Sequence, residues 1–170
     1  HVVTRRQRQM CIRDRDVIVL AAGEPDFNTP KNIRDAASKA MEEGKTKYVP
    51  GKGTPELQKA IQRKFREDNN INYQLDEIIC GVGGKHIIYN AMMATINPGD
   101  EVIITAPFWV SYPDIVLLAE GKPVIVECPQ SQNFKITPEQ LDKNINSNTK
   151  WLMLNSPSNP TGSVYSKKEL

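Results

Sequence analysis

The sequence predicts an α/β fold built on a mostly parallel sheet. From about residue 76 onward, short apolar runs alternate with stretches whose apolar residues recur at helical spacing. Parallel neighbouring strands need a long crossover between them, and these helical stretches supply it. The composition, 39% hydrophobic and 25% charged over 170 residues, is that of an ordinary globular domain. Together these observations predict right-handed βαβ units.

The first seventy residues predict one extended segment and two helices. Asp16–Ala21 is a short apolar run, expected to be a strand or an extended arm. The pairs Thr29–Pro30 and Thr54–Pro55 each predict a helix start, with threonine as N-cap and proline at the first helical position. Gly44 suits the end of the first of these helices.

The rest of the chain predicts four strands and the helices between them. The predicted strands are Glu77–Gly81, Glu101–Ala106, Val124–Cys128 and Lys150–Asn155. Helices are predicted after Val82–Lys85, over Ser111–Glu120 with a stop at Gly121, and from Thr137, which forms a capping box with Gln140. A second capping box, Ser166 with Glu169, announces a helix just before the chain ends, so we expect a truncated chain.

The charge distribution sets the first fifteen residues apart. They carry five arginines and one acid, and they contain no apolar stretch of the kind found in secretory signals. A transit peptide is one interpretation, and a foreign or disordered leader over residues 1–15 is the one we prefer. We expect residues 16–45 to form the N-terminal arm and helix of a small domain, and residues 46–170 the incomplete N-terminal part of a large domain.

Composition also excludes several classes of partner. The net charge of +2 is too balanced to indicate nucleic acid or an anionic membrane, and no apolar stretch reaches the length of a membrane span. Three widely spaced cysteines match no metal-binding pattern and indicate a reducing compartment. We therefore expect a cytoplasmic protein without a metal site.

A glycine-rich turn, Gly81–Lys85, lies between a predicted strand and a predicted helix. Glycines let backbone N–H groups approach an anion closely, and a helix N-terminus favours negative charge. A tight turn without any ligand is an equally good interpretation. His86 stands where the dinucleotide-binding fingerprint needs its third glycine, which weakens that alternative. We expect Lys85 to be an exposed charge and His86 an unpaired surface histidine.

Two further segments follow predicted strands at their carboxyl ends, where ligands bind in open α/β sheets. Trp109, in Ala106–Pro113, offers a flat face for a heteroaromatic ligand, although this segment alone favours a hydrophobic plug over the sheet. Asn159 lies in Asn155–Gly162, a loop that two prolines stiffen. Because so stiff a loop is not needed merely to end a strand, it indicates a functional site.

Five segments, in this order and spacing, resemble the fold-type I, class I/II aminotransferases that use pyridoxal phosphate, with bacterial aspartate aminotransferases as the nearest likeness. The segments are AAGEPDFNTP, TKYVPGKGTPELQKAI, GVGGKHIIYNA, NPGDEVIITAPFWVSYP and LNSPSNPTGSVY. The likeness covers Asp16 to Leu170. It implies a mostly parallel sheet with helices on both faces, pyridoxal 5'-phosphate as cofactor, and a homodimer.

The resemblance also implies roles for individual residues. The cofactor would be held by the backbone of Gly83, Gly84 and Lys85, by the Trp109 ring and by the Asn159 amide, and Tyr48 would reach the cofactor phosphate of the neighbouring subunit. The substrate carboxylate would be held by the Gly23 backbone and by Asn159, beside Trp109. The Schiff-base lysine of the family lies beyond Leu170, so no catalytic residue is assigned here, and this chain alone is expected to be inactive.

The expected reaction of the whole enzyme transfers the amino group of aspartate to 2-oxoglutarate, giving oxaloacetate and glutamate. Within the same class, the alternative is a transaminase for aromatic amino acids, alanine or prephenate. From another class, the alternative is a dinucleotide-binding oxidoreductase domain.

Overall fold

The computed structural model describes Gly23 and residues 25–170. The chain divides into two units, one that ends at Tyr48 and one that runs from Val49 to Leu170. The predicted segment Asp16–Ala21 and the predicted leader lie outside the described residues, and the domain assignment stays a prediction.

The described part of the first unit contains one helix, α1 (Lys31–Glu42). The prediction placed Thr29 at the cap and Pro30 inside the helix. Pro30 instead has an extended ψ of 141° and is itself the N-cap, so the helix begins one residue later. Beyond the C-terminal end, Gly44 has φ +75°, the left-handed conformation in which glycine is favoured.

The second unit opens with helix α2 (Pro55–Asn69), as the Thr54–Pro55 pair predicts. The Thr54 side chain accepts a hydrogen bond from the Leu57 N–H at 3.2 Å. A 3₁₀ turn follows at Leu75–Glu77. The buried Gln58 side chain ties the two together, because its amide donates to the carbonyl of Ile78 at 2.7 Å.

The predicted strand Glu77–Gly81 is wrong. Glu77 ends the 3₁₀ turn, and although Ile78 is extended (φ −114°, ψ 123°), the segment pairs with no strand among the described residues. It is held instead by the Gln58 side chain at Ile78 and by a backbone bond from the Cys80 N–H to the Lys52 carbonyl at 3.1 Å. A strand is defined by its partner, which an apolar run by itself does not supply.

The sheet has three parallel strands in the order β2–β1–β3. In chain order, the elements are α3 (Gly84–Thr95), β1 (Glu101–Ala106), α4 (Ser111–Leu118), β2 (Lys122–Glu127), α5 (Pro138–Asn144) and β3 (Thr149–Met153). The central strand β1 has the predicted bounds. β2 begins two residues earlier than predicted, and β3 ends two residues earlier.

Helices cover both faces of this sheet. On one face, Val102 and Ile104 of β1 belong to the buried core that also contains residues of α3 and α4. Leu152 of β3 lines a cavity of about 240 Å³ together with Leu141 of α5. Since successive strand residues point to opposite faces, this alternation agrees with a sheet that has helices on both sides.

Close packing explains Gly121 better than a stop signal does. The left-handed residue after α4 is Glu120, with φ +63°, and not the glycine. A Cβ atom on Gly121 would lie 2.7 Å from Cγ2 of Ile96 and 3.1 Å from Cγ1 of Val116. The position needs glycine because the core leaves no room for a side chain.

The last predicted helix is only a turn. Half of the Ser166–Glu169 box forms: the Ser166 N–H donates to the Glu169 carboxylate at 2.7 Å, whereas the Glu169 N–H donates to the Ser166 carbonyl, and the described residues form no helix there. Among the described helices, none has the length and apolar character needed to cross a membrane.

Candidate active site

Two site candidates of the second unit, Trp109 and Asn159, lie on segments that follow neighbouring strands at one edge of the sheet. β1 pairs in parallel with β3, so the carboxyl ends of these neighbouring strands lie side by side. The segment with Trp109 follows β1, and the loop with Asn159 follows β3. This is the edge of an open α/β sheet at which ligands bind.

The glycine turn forms the N-terminus of α3. Gly83 is its N-cap, with φ +105° and ψ 160°, a conformation essentially confined to glycine. The first intrahelical bond runs from the Ile87 N–H to the Gly83 carbonyl. Within the described chain, the N–H groups of residues 83–86 have no hydrogen-bond partner. A Cβ on Gly83 or Gly84 would meet nothing within 4 Å, so the space beside the turn is open.

The turn and the aromatic segment are in contact through Lys85. Its Nζ atom lies 4.8 Å from the ring centroid of Trp109, within range of a cation–π interaction. Trp109 in turn packs edge-on against Tyr112, with ring centroids 5.4 Å apart and planes at 84°. Burial raises the pKa of Tyr112 above its ordinary value. A cation, two aromatic rings and free N–H donors are thus assembled beside one another.

The Asn155–Gly162 loop is ordered by its own hydrogen bonds. The Asn159 N–H donates to Oδ1 of Asn155 at 2.7 Å, and the Gly162 N–H donates to the Ser158 carbonyl at 2.8 Å. The Asn159 side chain is exposed, and its amide makes no hydrogen bond within the described residues. No contact among the described residues joins it to Trp109 or to the glycine turn, so its role in the site stays a prediction.

Two predicted site residues belong to the first unit. Gly23 is exposed, and Tyr48 is fully exposed at the end of that unit. A fully exposed tyrosine is available to another molecule, which is what the resemblance implies for it. The roles of both residues stay predictions.

His86 and Tyr112 are the residues that sequence reasoning missed. The prediction of an unpaired histidine is wrong: Nδ1 of His86 accepts a hydrogen bond from the Val82 N–H at 3.2 Å, and Nε2 lies 3.0 Å from the Asn90 side-chain amide. The sequence did carry a signal for these two bonds. Val82 and Asn90 each lie four residues from His86, which is about one turn of a helix that starts at Gly84. For Tyr112, the signal was its position three residues after Trp109.

No group of three or more potential metal ligands occurs in the described part of the chain. Cys80 and Cys128 are free thiols, and burial is the main cause that raises the pKa of Cys128.

The residues at the turn fit the two chemical parts of pyridoxal phosphate. The unpartnered N–H groups at the positive end of a twelve-residue helix suit a phosphate group. The half-buried Trp109 ring next to that turn suits a flat pyridine ring.

Comparison with known proteins identifies the family. Residues 15–170 match the profile described as "Aminotransferase class I and II". The chain is 54% identical over 168 residues to a protein named aspartate/prephenate aminotransferase from Cereibacter sphaeroides, covering 99% of this chain and 42% of that one. An alignment of that length reaches into the arginine-rich first fifteen residues, whose assignment as a leader stays a prediction.

Solved structures give the same result. The crystal structure of the aspartate aminotransferase from Rhizobium meliloti superposes with a TM-score of 0.91 at 51% identity, covering 96% of this chain and 41% of that one. The aspartate aminotransferase from Thermus thermophilus with maleate gives 0.91 at 44% identity, covering 95% and 42%. The chain therefore spans about two fifths of the length of the proteins it matches. The fold-type I prediction is confirmed, and the dinucleotide-binding alternative is not supported.

Proposed function

Because the chain belongs to the class I and II aminotransferases, we propose that the whole protein transfers the amino group of aspartate to 2-oxoglutarate with pyridoxal phosphate, the cofactor of this family. The observation that carries the proposal is the meeting of the anion-binding turn with an aromatic face, where Lys85 Nζ lies 4.8 Å from the Trp109 ring. A phosphate donor set and a stacking surface this close together suit one ligand that has both an anion and a ring.

We assign the phosphate group of the cofactor to the glycine turn. Gly83, Gly84 and Lys85 present N–H groups that have no partner among the described residues, and Lys85 adds a positive charge. Hydrogen bonds to a charged acceptor contribute about 1.5–3 kcal/mol each. Trp109 is assigned the ring, where offset stacking adds about 0.5–1.5 kcal/mol beyond the area buried.

Asn159 is assigned two contacts, one to the oxygen substituent of the ring and one to the substrate carboxylate. Its amide both donates and accepts hydrogen bonds. The bond from its own N–H to the Asn155 side chain fixes the backbone at this position, so the loop has little backbone freedom to lose on binding. The Gly23 backbone is assigned to the same carboxylate, on the strength of the resemblance.

Pyridoxal phosphate, when bound, supplies the electron-withdrawing ring that lets an amino acid lose its α-proton. The residues described here bind and orient, and none of them is assigned the proton transfer. Their contribution is to fix the phosphate at one end and the ring plane at Trp109, so that the reacting carbon has a defined position.

Aspartate is proposed as the amino donor on two grounds. The relatives named above are aspartate aminotransferases, and the Thermus structure was solved with maleate, a four-carbon dicarboxylate. For the amino acceptor, prephenate, which is a 2-oxo acid, is the second candidate beside 2-oxoglutarate, because the Cereibacter relative carries it in its name.

We further propose a homodimer in which Tyr48 reaches the phosphate of the neighbouring subunit. Full exposure of this side chain within its unit supports the proposal. The free thiols Cys80 and Cys128 support a cytoplasmic location.

The test is to load the whole protein with pyridoxal phosphate and to follow oxaloacetate release from aspartate and 2-oxoglutarate. Prephenate then replaces 2-oxoglutarate in a parallel assay. We expect turnover with aspartate in the first assay, and turnover in both if prephenate is also an acceptor. A loaded protein that releases no oxaloacetate with either acceptor would refute the proposal, and loss of turnover in Trp109→Ala with a native melting curve would link the activity to this site.

A further inference from the structure

The His86 side chain is held at both ring nitrogens. Nδ1 accepts from the Val82 backbone N–H at 3.2 Å, and Nε2 lies 3.0 Å from the Asn90 side-chain amide. His86 is on the first turn of α3, whereas Val82 precedes the helix, so the ring joins the helix to the loop that enters it.

These contacts define the protonation of the ring. Because an N–H donates to Nδ1, that nitrogen carries no proton, and the proton of the neutral imidazole is on Nε2. Nε2 then donates, so we assign the Asn90 amide with its oxygen toward Nε2, the reverse of the orientation in the structure, where Nδ2 lies 3.0 Å from Nε2. The ring is therefore a neutral acceptor toward the loop.

Glycine at position 81 makes room for this arrangement. A Cβ there would lie 2.9 Å from Nδ1 of His86 and would also collide with the Ile87 side chain. Gly81 thus has a different task from Gly83: it allows the ring to pack against the loop, whereas Gly83 supplies the positive φ.

The Val82–His86 bond also selects which N–H groups remain free. The N–H of Val82 is occupied, and those of the next three residues have no partner in the described chain. Fixing the peptide before Gly83 fixes the direction from which Gly83 and Gly84 present their N–H groups.

We propose that His86 is a positioning residue for the phosphate turn, acting through its unprotonated Nδ1 on the Val82 amide. The proposal rests on the proposed function, because it takes the ligand of the turn to be the phosphate of pyridoxal phosphate. His86 orders the donors before the phosphate arrives, and it thereby increases affinity for the phosphate end of the cofactor and not for its ring.

The experiment compares three variants of the whole apo-protein: His86→Asn, His86→Gln and His86→Leu. Asparagine can place its oxygen near the position of Nδ1, glutamine places its oxygen nearer that of Nε2, and leucine has no acceptor. The dissociation constants of pyridoxal phosphate and of pyridoxal, which lacks the phosphate, are measured by quenching of protein fluorescence.

We expect His86→Leu and His86→Gln to bind pyridoxal phosphate about tenfold more weakly, as the loss of one ordering hydrogen bond implies. His86→Asn should remain within about twofold of the parent, and pyridoxal affinity should be the same in all four proteins. If His86→Leu does not fold, the contrast between asparagine and glutamine decides the matter.

Two results would overturn the proposal. One is equal affinity for pyridoxal phosphate in the parent and the glutamine variant, and the other is an equal loss for pyridoxal phosphate and pyridoxal, which indicates a general structural role. A parent that binds pyridoxal as tightly as pyridoxal phosphate would instead refute the proposed function, and this inference with it.

Discussion

Replacing Gly83 by alanine tests the turn most directly. At φ +105° and ψ 160°, the residue occupies a region that side chains rarely enter, and holding alanine there costs about 1–3 kcal/mol. A Cβ at this position meets no atom within 4 Å, so the cost comes from the backbone alone and not from a collision. The same free energy corresponds to about a 5- to 150-fold change in an equilibrium constant.

Gly84→Ala is the matched control. Gly84 also has open space around it, but it is the first residue of α3 and does not have a positive φ. Alanine loses less backbone entropy on folding than glycine, so this variant should be as stable as the parent or more stable by about 0.4–1 kcal/mol.

The assay has two parts, because strain in Gly83→Ala lowers either stability or affinity. Urea unfolding of the whole apo-protein gives the free energy of unfolding, and titration with pyridoxal phosphate gives the binding free energy. If the turn keeps its shape, stability falls; if it relaxes, affinity falls, since binding must restore the shape. The two losses should together reach about 1–3 kcal/mol. A Gly83→Ala protein that matches the parent in both, or a Gly84→Ala protein destabilised to the same extent, would refute the reasoning.

Three further predictions concern other parts of the chain. The Tyr48→Phe variant of the whole protein should regain activity when it forms mixed dimers with a variant that lacks its cofactor-binding lysine. If mixed dimers are confirmed and activity does not recover, the result argues against a shared site. Asn159→Ala should raise the midpoint of the pH titration of cofactor absorbance and should weaken aspartate binding. Trp109→Ala should keep that midpoint and lose about 2- to 10-fold in cofactor affinity. If Asn159→Ala and the parent give identical titrations, the role assigned to Asn159 is wrong. The hydrogen bond from Lys135, followed by those from Ser166, holds the pKa of Glu169 at about 2. The ionised Glu169 carboxylate therefore contributes its full stabilisation above pH 4.5, and this contribution is lost as the pH falls toward 2. Melting temperatures of the parent and Glu169→Gln should therefore converge over that interval, and a constant difference would contradict the assignment.

Local chemistry made much of the fold predictable. The capping residues Thr54 and Thr137 mark their helix starts correctly, because the side-chain bonds to the helix N–H groups form between residues three apart. The central strand β1 is also predicted to the residue, since its apolar run is bounded by a turn on one side and by a proline on the other.

Long-range requirements were not predictable in this way. The apolar run Glu77–Gly81 is indistinguishable from a strand by composition, yet pairing depends on a partner that sequence spacing does not reveal. Gly121 was interpreted through local conformation, whereas the atoms that exclude a side chain there belong to Ile96 and Val116. In both cases the deciding neighbours are distant in sequence or belong to another element.

The candidate site shows the same division between local and distant information. The rule that ligands bind at the carboxyl edge of a parallel sheet directed attention to the segments after β1 and β3, and Lys85 lies against Trp109. What the motif could not reveal is the task of each residue within it. His86, interpreted as an unpaired surface histidine that breaks a dinucleotide fingerprint, accepts a hydrogen bond from the Val82 N–H, and Gly81 leaves the room that this ring occupies. A glycine-rich turn is therefore specified as much by the side chain that packs against it as by the glycines themselves.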